Sequence, residues 1–62
     1  MFSYGEHNGV YVPVYQMIGN KWVEIGGQDD ETHAMFYCEY WNKQRQGKVL
    51  KYKPASLIPV QS

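Results

Sequence analysis

A single cysteine, Cys38, in 62 residues removes any internal disulfide framework. The paired Cys/His spacings of a structural zinc site are missing as well. No run approaches the roughly 18 apolar residues that a membrane span needs. The opening Met1-Phe2-Ser3-Tyr4-Gly5-Glu6-His7 has neither the basic start nor the apolar stretch of a secretory leader. Net charge is missing too: six basic and six acidic residues cancel, so nothing global draws the chain to nucleic acid or to a membrane. With a lone thiol, these absences predict a protein of the reducing cytoplasm. The chain opens on Met1 with no visible tag, so a complete small protein is expected.

What is present is a folded composition, 44% hydrophobic and 19% charged, with aromatics at 16% that include six tyrosines. A chain of 62 residues has room for a single small domain, residues 1–62. At this size only about 60% of the unfolded surface is buried, so the core is thin and self-association or dense packing must compensate. The charges are also ordered. All six acids (Glu6, Glu24, Asp29, Asp30, Glu31, Glu39) fall in the first 39 positions beside one base, Lys21. From Tyr40 onward Lys43, Arg45, Lys48, Lys51 and Lys53 stand without an acid. Part of this polarity is what a helix dipole asks for, acids at its start and bases at its end. The rest is a basic surface open to an acidic partner or a phosphate backbone.

Residues 1–8 read as an irregular lead-in ending at Asn8-Gly9. Val10–Ile18 is rich in β-branched and aromatic residues, and Gly19-Asn20 is a two-residue hairpin signal before a second strand, Lys21–Ile25. A hairpin over 10–25 follows. Gly26-Gly27 interrupts the pattern. Asp29 or Asp30 supplies a helix N-cap, and residues 30–46 contain no Gly or Pro, with Ala34, Tyr37 or Cys38, and Trp41 forming an apolar stripe. Lys43 and Arg45 close the last turn, and Gly47 suits a left-handed cap. Residues 48–60 give a third strand over Lys48–Lys53, ended by Pro54, and an apolar tail. The expected fold is α+β: a small three-stranded antiparallel-type sheet packed on one helix in the order β-β-α-β.

The loop fixes the register, with Ile18 opposite Lys21, Met17 opposite Trp22, Gln16 opposite Val23 and Tyr15 opposite Glu24. One face then carries Val10, Val12, Val14, Ile18, Val23 and Ile25, a seat for the helix. The other carries Tyr11, Pro13, Tyr15, Met17, Trp22 and Glu24. A single helix covers only one face, so Tyr11, Tyr15, Met17 and Trp22 are left to a partner, to the chain's own ends, or to unpaired bases stacked beside Lys48, Lys51 and Lys53. Tyr and Trp are common anchors of protein interfaces, and a protein partner or a second copy is the leading expectation.

Catalytic chemistry is hard to assemble. Five positions place His33 and Cys38 about 140° apart on a helix, too far for an activated pair, and Cys38 beside the core stripe reads as a small buried hydrophobe. Asp29 and His33 share an i, i+4 spacing, yet a metal needs further ligands. Gly26-Gly27 before a helix lacks the Lys-Ser/Thr of a phosphate loop, and the acids that follow repel anions. No enzyme, cofactor or metal site is expected.

Asp30-Glu31-Thr32-His33-Ala34, leading into Glu39-Tyr40-Trp41-Asn42-Lys43-Gln44 and then Lys51-Tyr52-Lys53, resembles small phage and prophage accessory proteins in outline over residues 10–60. The resemblance implies a mobile-element accessory protein that works by binding a host protein. The hairpin and helix also look somewhat like the arm-type DNA-binding domains of phage integrases. Those present a basic sheet, whereas Lys21 is the only base in this hairpin.

Overall fold

The computed structural model describes residues 1–48 and 50–60. Its elements are β1 (Phe2–Tyr4), β2 (Val12–Ile18), β3 (Lys21–Gln28) and α1 (Glu31–Arg45), and the antiparallel sheet has the order β1-β2-β3. The order is therefore β-β-β-α, not β-β-α-β: the third strand comes from the N-terminus. The reason lies in Asn8. Its Oδ1 accepts from the backbone N–H of both Val10 and Tyr11, and Gly9 beside it takes a φ of +98°. That turn sends the first residues back along β2, with Gly5 N–H bonded to Pro13 O and Met17 N–H to Met1 O. The expected irregular lead-in is thus an edge strand.

The expected third strand at Lys48–Lys53 is not one. Val49, Gln61 and Ser62 lie outside the described residues, and the residues described between Lys48 and Leu57 form no strand. The tail pairs with the sheet in one described backbone bridge, in which Gly27 and Ile58 exchange both hydrogen bonds at 3.0 and 2.9 Å, and the Gln28 side chain donates to Ala55 O at 3.2 Å. β1 already holds the place beside β2, and a proline at 54 spoils continuous pairing along the other edge.

The hairpin register is as expected from Ile18/Lys21 to Tyr15/Glu24. Of the two loop residues only Gly19 carries a positive φ, +63°, as a turn with Gly at its first central position requires. Past Glu24 the register slips by one: Ile25 is an extra residue, and Val14 faces Gly26. The slip extends β3 through Gly26-Gly27 to Gln28, where an end was expected.

α1 begins at the N-cap Asp30, whose carboxylate accepts from His33 N–H at 2.8 Å. It ends in paired bonds from Gly47 N–H to Gln44 O and Lys48 N–H to Lys43 O, with Gly47 at φ +80°. Ala34 and Cys38 seat the helix on Val12 and Val14, and Phe2, Ile25, Tyr37 and Leu57 close around them. The helix is too short to shelter the whole aliphatic face. Val10, Ile18 and Val23, expected beneath it, stay 61%, 53% and 41% exposed.

One edge of the sheet is closed by a side chain. Phe2 turns its backbone N–H and C=O away from β2, and the amide of Asn42 takes both: Phe2 N–H donates to Oδ1 at 2.7 Å and Nδ2 donates to Phe2 O at 3.1 Å. Asn42 thereby replaces the neighbouring strand that an edge invites.

Candidate interaction surface

The face away from the helix is built by β2 and the hairpin. Tyr11 and Pro13 are buried there, Tyr15, Met17 and Glu24 are half-buried, and Trp22 is 45% exposed. Among the described residues no second helix or strand lies over this face. Rings lie over glycines instead. Tyr11 occupies the space where a side chain on Gly27 would stand, and Tyr15 sits over Gly5, whose Cβ would meet its ring at 3.4 Å. Missing Cβ atoms let each ring drop onto the backbone and bury apolar area that a flat aromatic face leaves in water.

Of the four residues expected to meet a partner, Tyr11 is displaced from that role. It is 2% exposed and its hydroxyl donates to Glu24 Oε2 at 2.5 Å, so it supports the face from within. Tyr15, Met17 and Trp22 remain at the surface, with Met17 directly opposite Trp22. The slip at Ile25 explains Tyr11: it brings Gly27 opposite Pro13, under the ring.

Ile18 and Val23, on the helix-side face, were missed. The signal was the two-residue loop itself, because a hairpin that projects beyond one covering helix exposes both faces of its tip. Met1, 63% exposed, joins this tip through its bond to Met17.

The lysines expected beside the aromatic face lie elsewhere. Lys51 borders a hollow of about 150 Å³ with Phe36, Tyr40, Leu50 and Tyr52, and Lys53 borders another with Tyr37 and Trp41. Both sit against the helix, because the segment that carries them never enters the sheet. Lys48 is exposed after the helix end, and Tyr52, 73% exposed, is the most open large hydrophobic side chain among those described.

Two exposed polar pairs lie within one helical turn. His33 Nδ1 lies 2.7 Å from Asp30 Oδ1, one turn along the helix start, and both side chains are exposed. The His33 N–H, the imidazole and its charge hold the Asp30 carboxyl below its ordinary range. Lys43 Nζ, 2.6 Å from Glu39 Oε1, does the same for Glu39. Burial pushes the Cys38 thiol up to about 11, the opposite of what a nucleophile needs. Among the described residues no group of three or more His, Cys, Asp or Glu side chains is placed to hold a metal ion. A groove of about 500 Å³ between β1 and α1 is lined by Phe2, Tyr4, Met35, Cys38 and Asn42, with the Glu39–Lys43 pair at its side. No described helix is long and apolar enough to cross a membrane.

Comparison of the chain with models of protein families, with curated proteins and with solved structures finds no match.

Proposed function

We propose that this chain is a small non-enzymatic binding module that engages a protein partner through the open sheet face, with Tyr15, Met17 and Trp22 in contact. The observation that carries the reading is Trp22, 45% exposed beside Met17 on a rigid hairpin whose rear support, Tyr11, is fully packed. Pre-organised aromatics of this kind contribute large contact area at low ordering cost. The outline resemblance to phage and prophage accessory proteins suggests a mobile-element setting, a host protein as target and action in the cytoplasm.

Photo-crosslinkers placed at Trp22 and at Thr32 in bacterial lysate test this. A defined adduct from the first position only, lost with Tyr15→Ser, is the expected result. Equal adducts from both positions, or none, would refute it.

A second reading has its own observation: Tyr52 stands in solvent between Lys51 and Lys53, with Lys48 nearby in sequence. An aromatic flanked by bases stacks on unpaired bases of single-stranded nucleic acid. Such binding falls steeply with salt and weakens on Tyr52→Ser; an oligonucleotide titration at low salt that shows no binding excludes it.

A further inference from the structure

The two edges of the sheet are treated differently. Asn42 closes β1 at Phe2, and Ile58 closes β3 at Gly27. Between Lys21 and Ile25 no described residue pairs with β3 on the side away from β2. The bonds from Met17 N–H to Met1 O and from Gly5 N–H to Pro13 O turn Pro13, Tyr15 and Met17 toward β1. Gln16 and Ile18 therefore face β3 and bond Val23 and Lys21, which leaves the backbone groups of Trp22 and Glu24 pointing outward. Trp22 and Val23, both more than 40% exposed, line this edge. Of the devices that keep sheet edges from pairing it carries the charges of Lys21 and Glu24 and the bulge at Ile25, but no proline and no covering segment among the described residues between Lys21 and Glu24.

We infer that a second copy of this chain pairs here, β3 against β3 across a two-fold axis, to form one continuous six-stranded sheet from two three-stranded ones. Antiparallel bonding needs outward groups on both strands, so only registers that place Trp22 or Glu24 opposite one another are open. Glu24 facing Glu24 opposes like charges and drives Gly27 with its Ile58 bridge into the second copy. Trp22 facing Trp22 leaves Ile25 unused. The remaining register sets Trp22 opposite the second copy's Glu24 and Val23 opposite its own counterpart, and it uses the whole of Lys21–Ile25.

The two-fold register and the charge suit a copy of this chain. The chain has zero net charge, so two copies meet without overall repulsion, and this register keeps the two Lys21 side chains about 14 Å apart. An interface of this length stays below the ~1,200 Å² of standard stable complexes, so the dimer dissociates on dilution. The inference is independent of the face-docking reading above, since it rests on backbone groups of the edge.

Light scattering over a dilution series combined with cysteine crosslinking tests it. Val23→Cys should oxidise to a covalent dimer at least about tenfold faster than Lys21→Cys, because only the central pair meets disulfide geometry. The unsubstituted chain, whose Cys38 is buried, serves as control. A synthetic chain N-methylated at Trp22 loses one outward donor, keeps its indole, and should be monomeric where the parent is dimeric. A monomer at every concentration, or equal crosslinking at both positions, would overturn the inference. A dimer that survives N-methylation but is lost on Tyr15→Ser would overturn it too and move the contact to the open face.

Discussion

Tyr11 lies in the space that a side chain on Gly27 would fill, and from there its hydroxyl reaches Glu24. This pair joins the start of β2 to the end of β3 on the face away from the helix. It turns an expected contact residue into part of the scaffold.

Gly27→Ala should therefore be among the most damaging small substitutions in the chain. The added methyl overlaps the Tyr11 ring; the overlap falls near the root of the ring, and the backbone of Gly27 is tied to Ile58 by two hydrogen bonds. A loss of about 2 kcal/mol or more is expected from overpacking, read by urea unfolding. Alanine at Gly9, where nothing lies within 4 Å, meets no such overlap.

Tyr11 and Trp22 should separate cleanly. Tyr11→Ser removes a buried ring and costs about 3 kcal/mol, enough to threaten folding of so small a domain. Trp22→Ser should leave far-UV circular dichroism unchanged and alter only association. Equal destabilisation by both would place Trp22 in the core.

Asn42→Ala exposes the outward groups of Phe2 and removes both bonds to them. The expected cost is about 1–2 kcal/mol. Hydrogen exchange at the Phe2 amide should accelerate more than at Val14, which the substitution does not touch.

Acid should weaken the helix start. Hydrogen bonds from His33 lower the Asp30 carboxyl in the folded chain, so the stability it supplies is complete above the unfolded carboxyl value, about 4, and is lost as pH falls through the lower folded one. Lys43 gives Glu39 the same sign. Asp30→Asn keeps an acceptor but cannot titrate, so its melting temperature should fall less between about pH 5 and pH 2 than that of the parent chain.

Base should act through Cys38, with the opposite sign. Burial raises the thiol to about 11, so its contribution holds below the unfolded value and is lost as pH climbs toward the folded one. Native protein at neutral pH should resist thiol reagents and react at once when unfolded. Cys38→Ala should remove the part of the alkaline destabilisation that comes from this thiol.

The local elements were legible in the sequence because each carries its own chemistry. Gly19-Asn20 specified the turn and with it the pairing of Ile18 with Lys21 through Tyr15 with Glu24. Asp29-Asp30 and Gly47 marked the helix ends, and of the stripe Ala34, Tyr37 or Cys38, and Trp41 it is Ala34 and Cys38 that sit fully on Val12 and Val14. What tertiary structure decided was competition among distant segments. Two stretches were rich enough in β-formers to lie beside the hairpin, and Phe2–Tyr4 took the place at β2 because Asn8 turns the chain back at once, whereas Lys48–Lys53 would have had to return from the far end of the helix. The slip at Ile25, the seat of Tyr11 over Gly27 and the closing of one edge by Asn42 depend on contacts across 13 to 40 residues. No local pattern encodes them, because a ring finds room over a glycine only after both strands are in register.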